Sequence, residues 1–387
     1  MSDVYIVSSV RTPIGRFGGA LRSKRAVELG GIAVKEAIAR SKVDPDTVEE
    51  VIMGNVLQAG NGQNPAGQAA TLAGLSDSTL KYTVNVVCAS GMLAIESAFR
   101  EIKLGERNIV VAGGMESMSN APFFLSSDYR WGVKQLLYRD QGLKDAMLSD
   151  GLLDAFYAEH MGVSADRTAA KYGITRKDAD EYSYQSNLRA DRAWQTGEFA
   201  KECISVGDLK RDEGIRVSDT SVLGKLKPAF DKDGVLTAGN SSQLSDGASA
   251  LVIASEKSVN ELGLKPLARI TGFHQASLDP RDFVETPIPC TRQFLEKQGK
   301  KIGYYDLVEH NEAFSTASII VRDQLGIDNE KFNVNGGAVA LGHPLGNSGS
   351  RIVVTLLNAL QTRKLKTGLA TICHGGGGAH TLSLELL

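Results

Sequence analysis

The chain has 387 residues, a hydrophobic share of 42% and a formal net charge of -2. This length exceeds one ordinary domain, and the composition is sufficient to bury a large core. The near-neutral charge argues against nucleic acid or an anionic membrane as the main partner, so a polyanionic small ligand would need a local cluster of Lys and Arg.

The cysteines and the N-terminus predict a cytoplasmic protein. The four cysteines, at positions 88, 203, 290 and 373, form no Cys-x-x-Cys pair. They therefore predict neither a disulfide framework nor a zinc site, and free thiols favour a reducing compartment. The first residues, MSDVYIVSSVRTPIG, show no basic segment followed by an apolar run, and no stretch has the length and apolarity of a membrane span.

Strands and helices alternate in the first part of the chain. In order, the pattern predicts strand 4–10, helix 25–41, strand 51–56, helix 65–75, buried strand 82–87, a helix from about 92 to 102, and strand 108–112, which runs into Gly113-Gly114. Such alternation predicts a mostly parallel sheet covered by helices on both faces.

Residues 119–244 differ from this pattern, because they are richer in charge and aromatic side chains and lack the alternation. Thr175 with Asp178 predicts the beginning of a helix, and Gly197 predicts its end. The polar stretch 210–227 predicts a loop. We interpret residues 119–244 as an inserted loop domain, or lid, that can fold over a site.

The alternation returns from residue 245. The pattern predicts strands 250–254 and 268–273, helix 291–298, strand 306–308, helix 312–325, an extended segment 332–335, helix 347–360, and strands 368–373 and 380–386. The order of elements echoes the first half. We therefore predict an N-terminal half, 1–118, completed by about 245–263, and a similar C-terminal half, 264–387.

Cys88 is the first candidate for chemistry. The pattern places it where an apolar strand ends and a helix begins. The N-terminal end of a helix favours a thiolate, which is the reactive form of cysteine. A buried, inert thiol is the alternative.

Three further residues have both a chemical and a structural interpretation. His343, enclosed by glycines, could take a thiol proton and then donate to an oxyanion, or be incidental in a turn. Cys373 opens a run of four glycines and could act as acid and base for a carbon acid, or mark a flexible turn between strands. Asn311 could hold an ordered water, or cap a helix.

Taken together, the segments that carry these residues resemble the thiolase family from the opening VRTPIG to the last strand. The specific motifs are NVVCASGM, GGMESMS, HNEAFS, NVNGGAVALGHPLGNSG and CHGGGG. Within the family the chain looks most like acetyl-CoA acetyltransferases. The resemblance implies an α/β fold, layered αβαβα, of two similar halves with the inserted loop domain.

The resemblance also implies roles. Cys88 would become acylated, His343 would activate it and contribute to an oxyanion hole, and Asn311 would position the water of that hole. Cys373 would move the proton alpha to the thioester. The N–H groups of Cys88 and Gly375 would form a second oxyanion hole. The implied reaction is the condensation of two acetyl-CoA to acetoacetyl-CoA and CoA, or the reverse thiolysis, without a metal or redox cofactor.

Substrate contacts are implied in the same way, with ordinary packing as the alternative. The residues that would line the coenzyme A channel are Leu152, His160, Met161, Phe230, Ala238, Ser242, Leu244 and Phe314. Phe283 would lie in the acyl pocket and favour short acyl groups. Lys210, Arg211 and Arg216 are candidates for the nucleotide phosphates, although a solvated charged loop is the simpler interpretation.

Several alternatives stay open at this point. One is a thiolase for longer 3-ketoacyl-CoA chains in fatty-acid β-oxidation. Another is a related condensing enzyme with a Cys-His-His or Cys-His-Glu set, against which Cys373 speaks. A third, of a different class, is a non-catalytic thiolase-like subunit of a larger complex. Family members are dimers or tetramers, so the resemblance implies a homodimer or homotetramer, and a partner enzyme of the same pathway stays open.

Overall fold

A ten-stranded mixed sheet runs through the computed structural model, which describes residues 3–132 and 142–387. The strands are β1 (Val4–Arg11), β2 (Gly15–Arg16), β3 (Glu50–Gly54), β4 (Leu80–Val84), β5 (Ile109–Ser117), β6 (Phe123–Phe124), β7 (Lys144–Asp145), β8 (Ser245–Ser255), β9 (Ala268–Ser277), β10 (Leu307–His310), β11 (Thr367–His374) and β12 (Gly378–Leu386). The order across the sheet is β10-β11-β12-β9-β1-β8-β5-β3-β4, with β2 paired to β8, while β6 and β7 form a separate ribbon.

Helices cover this sheet in layers. They are α1 (Ala26–Ser41), α2 (Pro65–Leu72), α3 (Ser90–Leu104), α4 (Met161–Lys171), α5 (Arg176–Gln195), α6 (Thr220–Leu223), α7 (Glu256–Glu261), α8 (Pro287–Gln298), α9 (Ser315–Leu325), α10 (Ala338–Leu341) and α11 (Leu345–Arg363). Helices α1 and α2 pack on the N-terminal strands, and α8 packs on β9 and β12. Between them, α3 and α11 pack on each other, and α11 contacts both β5 and β11. The strands from β1 to β4 in sheet order form one β layer and those from β9 to β10 form the other, joined through the short β1–β9 pairing, so the layers follow the predicted αβαβα order.

The two central helices approach each other closely. A Cβ added at Gly91 of α3 would lie 2.7 Å from the backbone nitrogen of Ser350, and one at Gly349 of α11 would lie 2.5 Å from that of Met92. Only glycine permits such an approach of two backbones. The start of α3, next to Cys88, is thereby held against the start of α11, next to His343.

The prediction of a mostly parallel sheet is wrong. Only β3 with β4, β3 with β5, and β10 with β11 run parallel among the paired strands of the described residues. After the long insertion the chain returns as β8, which runs antiparallel to both β5 and β1. The last two strands, β11 and β12, are joined by a tight turn and must also be antiparallel.

Two local predictions also need correction. The strand predicted as buried over 82–87 is β4, which ends at Val84 and is partly exposed, because it lies at the edge of the sheet beside β3. The pair Gly113-Gly114 does not follow β5 but lies inside it. A side chain at Gly114 would collide with the carbonyl oxygen of Gly346 at the start of α11, so this strand position requires glycine.

The insertion between β5 and β8 is tied to the N-terminal half. Helix α5 begins after Thr175, which forms the predicted capping box with Asp178. At the end of β1, the fully buried Arg11 contacts Glu202 at 2.5 Å and Asp212 at 2.7 Å, and both carboxylates belong to the insertion. The boundaries of the inserted domain stay a prediction.

Candidate active site

A cavity of about 510 Å³ opens between the insertion and the two halves, with a mostly apolar wall. All the side chains predicted for coenzyme A line it, namely Leu152, His160, Met161, Phe230, Ala238, Ser242, Leu244 and Phe314. Phe283, Cys88, His343 and Gly375 line it as well. Asn311 and Cys373 are fully buried and lie behind the wall. The structure therefore brings one substrate-sized space and three of the five predicted catalytic residues together.

Cys88 lies in a strained turn between β4 and α3. Its neighbour Val87 has φ +51°, a conformation that a β-branched residue rarely adopts. The turn is held by Ser90, whose hydroxyl accepts from the N–H of Val86 at 2.9 Å and donates to the carbonyl of Val87 at 2.6 Å. Backbone strain of this kind is found at functional sites, where the surrounding structure imposes it.

The resting thiol of Cys88 is held neutral, contrary to the prediction from the helix terminus. Burial raises the pKa of Cys88 to about 12, and the N–H groups of Gly375 and of Cys88 itself oppose that rise. Desolvation outweighs the helix end because the thiolate would lose its water shell. The site must therefore remove the thiol proton during the reaction.

Cys373 is the residue before the last of β11 and lies near Cys88. Burial raises the pKa of Cys373, and the negative charge of an ionised Cys88 raises it further, because the two thiols are near enough to interact. Two residues later, the backbone N–H of Gly375 lies near the Cys88 sulfur and lowers the pKa of that thiol. The turn that follows has φ +83° at Gly376 and +89° at Gly377. Two thiols that are 285 residues apart in the sequence, from 88 to 373, thus lie near each other in the fold.

His343 joins them from the loop between α10 and α11. Its Nδ1 lies 2.6 Å from the hydroxyl of Ser348, which in turn lies 3.0 Å from the carbonyl of Pro344 and can donate there. The hydroxyl can then accept the Nδ1–H, which leaves a lone pair on Nε2. Nε2 has no hydrogen-bond partner among the described residues. Burial, with the nearby charge of Arg351, lowers the pKa of His343 to about 3, so the ring is neutral.

Asn311 follows β10 and is not a helix cap, because α9 begins at Ser315 with Phe314 as its N-cap. Its backbone N–H donates to the carbonyl of Thr371 at 3.1 Å. The buried guanidinium of Arg351 lies 3.5 Å from Oδ1 of Asn311. Within the described part of the chain, Nδ2 has no partner. A buried amide donor without a partner fits a site for an ordered water.

Aromatic rings form part of the channel wall. The rings of His160 and Phe230 stack with centroids 4.8 Å apart, and Phe314 meets Phe230 edge-on at 5.8 Å. Burial lowers the pKa of His160, so this ring adds little charge to the channel. Gly162 lies against Phe230, where any side chain would collide with the ring.

The three cations predicted for the nucleotide differ in their positions. Arg216 lines the cavity, whereas Arg211 is ion-paired with Asp191 and is not among the lining residues. Lys210 does not line it either. Arg16, which the sequence analysis missed, lines the cavity with Arg216. Neither a periodic pattern nor a motif around Arg16 indicates from the sequence that this residue lines the cavity.

Two further positioning residues were missed. One is Ser348, the partner of His343; its spacing after a histidine in a glycine-rich loop was the available signal. The other is Glu116, a buried carboxylate that accepts from the N–H of Gly346 at 2.9 Å and from that of Val56 at 3.0 Å. It thereby joins β5 and the segment after β3 to the start of α11. In the described ranges, no group of three or more His, Cys, Asp or Glu side chains is placed to hold a metal ion.

Two family models match the chain. The thiolase N-terminal domain matches residues 4–257, and the thiolase C-terminal domain matches residues 264–386. The chain belongs to the thiolase family. Relatives of this thiolase include the acetyl-CoA acetyltransferases of Synechocystis, 46% identical, and of Escherichia coli, 45% identical, each with full coverage of both chains.

Solved structures agree with this assignment. The crystal structure of the Acat5 thiolase from Ascaris suum in complex with coenzyme A matches all of this thiolase with a TM-score of 0.95 and 42% identity. The match covers 100% of both chains. The predicted fold class is confirmed. Among residues 3–132 and 142–387, no helix combines the length and apolarity needed to span a membrane.

Proposed function

We propose that this thiolase is an acetyl-CoA C-acetyltransferase that condenses two acetyl-CoA to acetoacetyl-CoA and CoA, or runs the reverse thiolysis, through an acyl-cysteine. One observation carries the proposal: Cys88, His343 and Gly375 line one cavity, and a second thiol, that of Cys373, is buried behind its wall and near enough to interact with Cys88. The names of the full-length relatives support the choice of substrate.

The first half of the reaction transfers an acetyl group to Cys88. As the thiol attacks the carbonyl of acetyl-CoA, Nε2 of neutral His343 takes its proton. The bond between the carbonyl carbon and the sulfur of CoA breaks, and the departing CoA thiolate takes the proton of Cys373. The N–H groups of Cys88 and Gly375 stabilise the oxyanion of this step. Free CoA, acetyl-Cys88, an imidazolium and the Cys373 thiolate remain.

The second half forms the carbon–carbon bond. The Cys373 thiolate removes an alpha proton from a second acetyl-CoA, since a thioester carbonyl acidifies that position. The enolate oxygen is stabilised by Nε2–H of the His343 imidazolium and by a water held on Nδ2 of Asn311. The enolate carbon attacks the acetyl carbon, the Cys88 sulfur leaves, and it recovers its proton from His343. The Cys88 proton returns through His343, and the alpha proton of the second acetyl-CoA replaces the one that Cys373 gave to CoA. All three side chains thus regain their starting protonation states, so the residues of the chain suffice without a metal or redox cofactor.

The electrostatics favour this order of events. An ionised Cys88 would raise the pKa of Cys373, so the two thiols do not readily ionise together. The sulfur of acetyl-Cys88 is part of a thioester and cannot ionise. Once the acetyl group is in place, Cys373 can therefore become a thiolate without a like charge beside it.

The cavity supports a short acyl group. Phe283 is buried, lines the cavity and belongs to the same apolar cluster as Cys373. A ring at this place limits the space beyond the reacting carbonyl. For the nucleotide end, Arg16 and Arg216 are the cations that line the cavity within the described residues. We infer that they contact the phosphates of CoA.

The decisive experiment is cleavage of acetoacetyl-CoA by purified protein with free CoA, alongside a 3-ketoacyl-CoA of ten carbons. We expect rapid cleavage of the short substrate only. Comparable turnover of both would favour the longer-chain alternative. Loss of both activities, with intact fold and CoA binding, would favour the non-catalytic subunit.

Two variants assign the thiols. Cys88→Ala should lose acyl-enzyme formation, which is observed as an acetyl adduct by intact-protein mass spectrometry. Cys373→Ala should still form acetyl-Cys88 but fail to condense. A Cys373→Ala protein with full condensation rate would rule out the proton-transfer role.

We also propose a cytoplasmic homodimer or homotetramer. The partly exposed edge strand β4, with Leu80 half-exposed, offers unpaired backbone groups to a second copy. Exposed rings of the insertion, such as Phe123 and Trp131, add apolar surface. Light scattering after size-exclusion chromatography measures the assembly directly.

A further inference from the structure

The side chain of His374 contacts the turn that supplies Gly375. Its Nδ1 lies 2.7 Å from the carbonyl oxygen of Gly375. A carbonyl oxygen can only accept, so Nδ1 must carry the proton and donate. The same Gly375 lines the cavity with Cys88, and its N–H lowers the pKa of the Cys88 thiol. His374 therefore holds the carbonyl of the residue whose N–H faces the nucleophile.

This turn needs such a contact. Residues 375–378 are four consecutive glycines, and two of them have positive φ values. Glycines have no side chains to pack, so the peptide units of such a run have more conformational freedom than any other sequence. The N–H of Gly375 can stabilise charge at the Cys88 sulfur only when it points at that atom. Its direction is better defined when a neighbouring side chain holds Gly375 in place.

The ring of His374 is itself supported. Because consecutive residues of a strand face opposite sides, it lies on the other face of β11 from Cys373. The ring of His380 is next to it, with centroids 5.4 Å apart, and Nδ1 of His380 lies 3.1 Å from a carboxylate oxygen of Glu96. The amide of Gln275 donates to the other oxygen of Glu96. This polar chain links α3, the helix that follows Cys88, back to Gly375.

The charge state suits this role. Burial lowers the pKa of His374 to about 4; the bond to Gly375 opposes that effect, and nearby His380 adds to it. At neutral pH the ring is therefore uncharged and keeps its single proton on Nδ1. It adds no positive charge that would attract the thiolate, and it acts only through the hydrogen bond.

We propose that His374 is a positioning residue: its Nδ1–H fixes the carbonyl of Gly375 and so keeps the Gly375 N–H on the sulfur of Cys88. The inference rests on the proposed function, because it assigns that N–H to thiolate and oxyanion stabilisation. His374 touches neither the substrate nor the reacting atoms. The residue type at position 374 then tunes the reactivity of Cys88.

The test compares His374→Leu, which removes the donor, with His374→Asn, which places an amide N–H near the position of Nδ1 at similar size. The control is His274→Leu on β9, whose ring contacts Gln293 and does not line the cavity. Two quantities are measured: the rate of iodoacetamide alkylation of Cys88, by peptide mapping across a range of pH, and kcat and KM for acetoacetyl-CoA cleavage. Thermal unfolding confirms that each variant is folded.

For His374→Leu we expect both the alkylation rate and kcat to fall by about 10-fold or more, with KM nearly unchanged, since loss of a whole oxyanion donor costs about 10²–10³ in kcat. His374→Asn and His274→Leu should stay within about threefold of the wild type. A Leu variant with wild-type rates, or an Asn variant as slow as the Leu variant, would overturn the proposal.

Two measures keep the outcomes separate. If His374→Leu does not fold, His374→Ser replaces it. The serine hydroxyl is too short to reach the Gly375 carbonyl as the imidazole does, so we expect the same losses of alkylation rate and kcat. Wild-type rates in the Ser variant would overturn the proposal. Alkylation needs no acetyl-CoA. A wild type that fails to cleave acetoacetyl-CoA would therefore reject the proposed function, while the alkylation rates still decide the role of His374.

Discussion

At the scale of single residues, burial sets the resting state of the site. The pKa of Cys88 is raised to about 12 and that of His343 is lowered to about 3. Between those values the neutral thiol and the neutral imidazole are both favoured, so an ion pair of the two is not the resting form. His343 must act as a base only while Cys88 attacks.

This state predicts the pH dependence of Cys88 alkylation. Because the thiolate is the reacting form, the rate should rise about 10-fold per pH unit from about pH 6 to about pH 9 without levelling off. The measurement is iodoacetamide inactivation followed over time at each pH, with glutathione as the control thiol of ordinary pKa. A plateau near neutral pH would show a pre-formed thiolate–imidazolium pair and contradict the assignment.

The position of Phe283 in the cavity wall predicts which acyl-chain lengths the enzyme accepts. Phe283→Ala should raise the ratio of kcat/KM for ten-carbon over four-carbon 3-ketoacyl-CoA by about 10-fold or more, because removal of the ring enlarges the cavity that Phe283 lines. The variant should also lose about 3–5 kcal/mol of unfolding free energy, as buried Phe→Ala changes do. A matched change at Phe294, which is buried but does not line the cavity, should lose stability without changing the ratio.

At the scale of elements, the contact between α3 and α11 fixes the geometry of the site. Gly349→Ala should cost about 1–3 kcal/mol, because its methyl group would press on the backbone of Met92. Since the two helices begin beside Cys88 and His343, kcat should fall as well. The control is Gly303→Ala, at a position with open space and an ordinary backbone conformation, where we expect a change within about 0.5 kcal/mol. Urea unfolding and steady-state kinetics measure both; equal stability of the two variants would contradict this account.

Periodicity predicted most of the other elements to within about four residues, and the capping box defined helix α5. The apolar runs located the strands before and after the insertion but missed the last five residues of β5 and the first five of β8, where small and polar residues interrupt the pattern. The edge position of β4 was not predictable, since an alternating pattern does not tell which strand lies beside it. The direction of β8 depended on the path of the insertion. The pKa of Cys88 was predicted in the wrong direction, because a helix end is visible in sequence whereas complete burial is not.

The convergence of the candidate site was predictable only through family resemblance. Nothing in the spacing of Cys88, His343 and Cys373 shows that they meet, and the structure brings them together by sheet order and by the contact of two glycine-containing helices. Arg16 was missed because its role follows from the path of the neighbouring chain, whereas the spacing of Ser348, five residues after His343, was a signal that the sequence offered. The roles of all these residues stay proposals until the variants are measured.

At the scale of the whole molecule, Arg11 joins the N-terminal half to the insertion. Arg11→Met should lose about 3–5 kcal/mol, because Glu202 and Asp212 would remain buried without their cation. The side chain of Lys232 pairs with Asp233 at the surface, so Lys232→Met should change stability by less than about 1 kcal/mol. Differential scanning calorimetry compares the two. Similar melting temperatures would mean that the buried pair contributes little.

The same ion pairs limit how the insertion can move. The guanidinium of Arg11 binds two carboxylates of the insertion, and the indole N–H of Trp194 also donates to Asp212 at 2.9 Å. Displacement of the insertion as one rigid body would separate these buried charges, which is costly. We therefore expect a coenzyme A thioester to enter the existing cavity with its pantetheine arm first, so that the width of the cavity and the residues at its inner end decide which acyl groups the enzyme accepts.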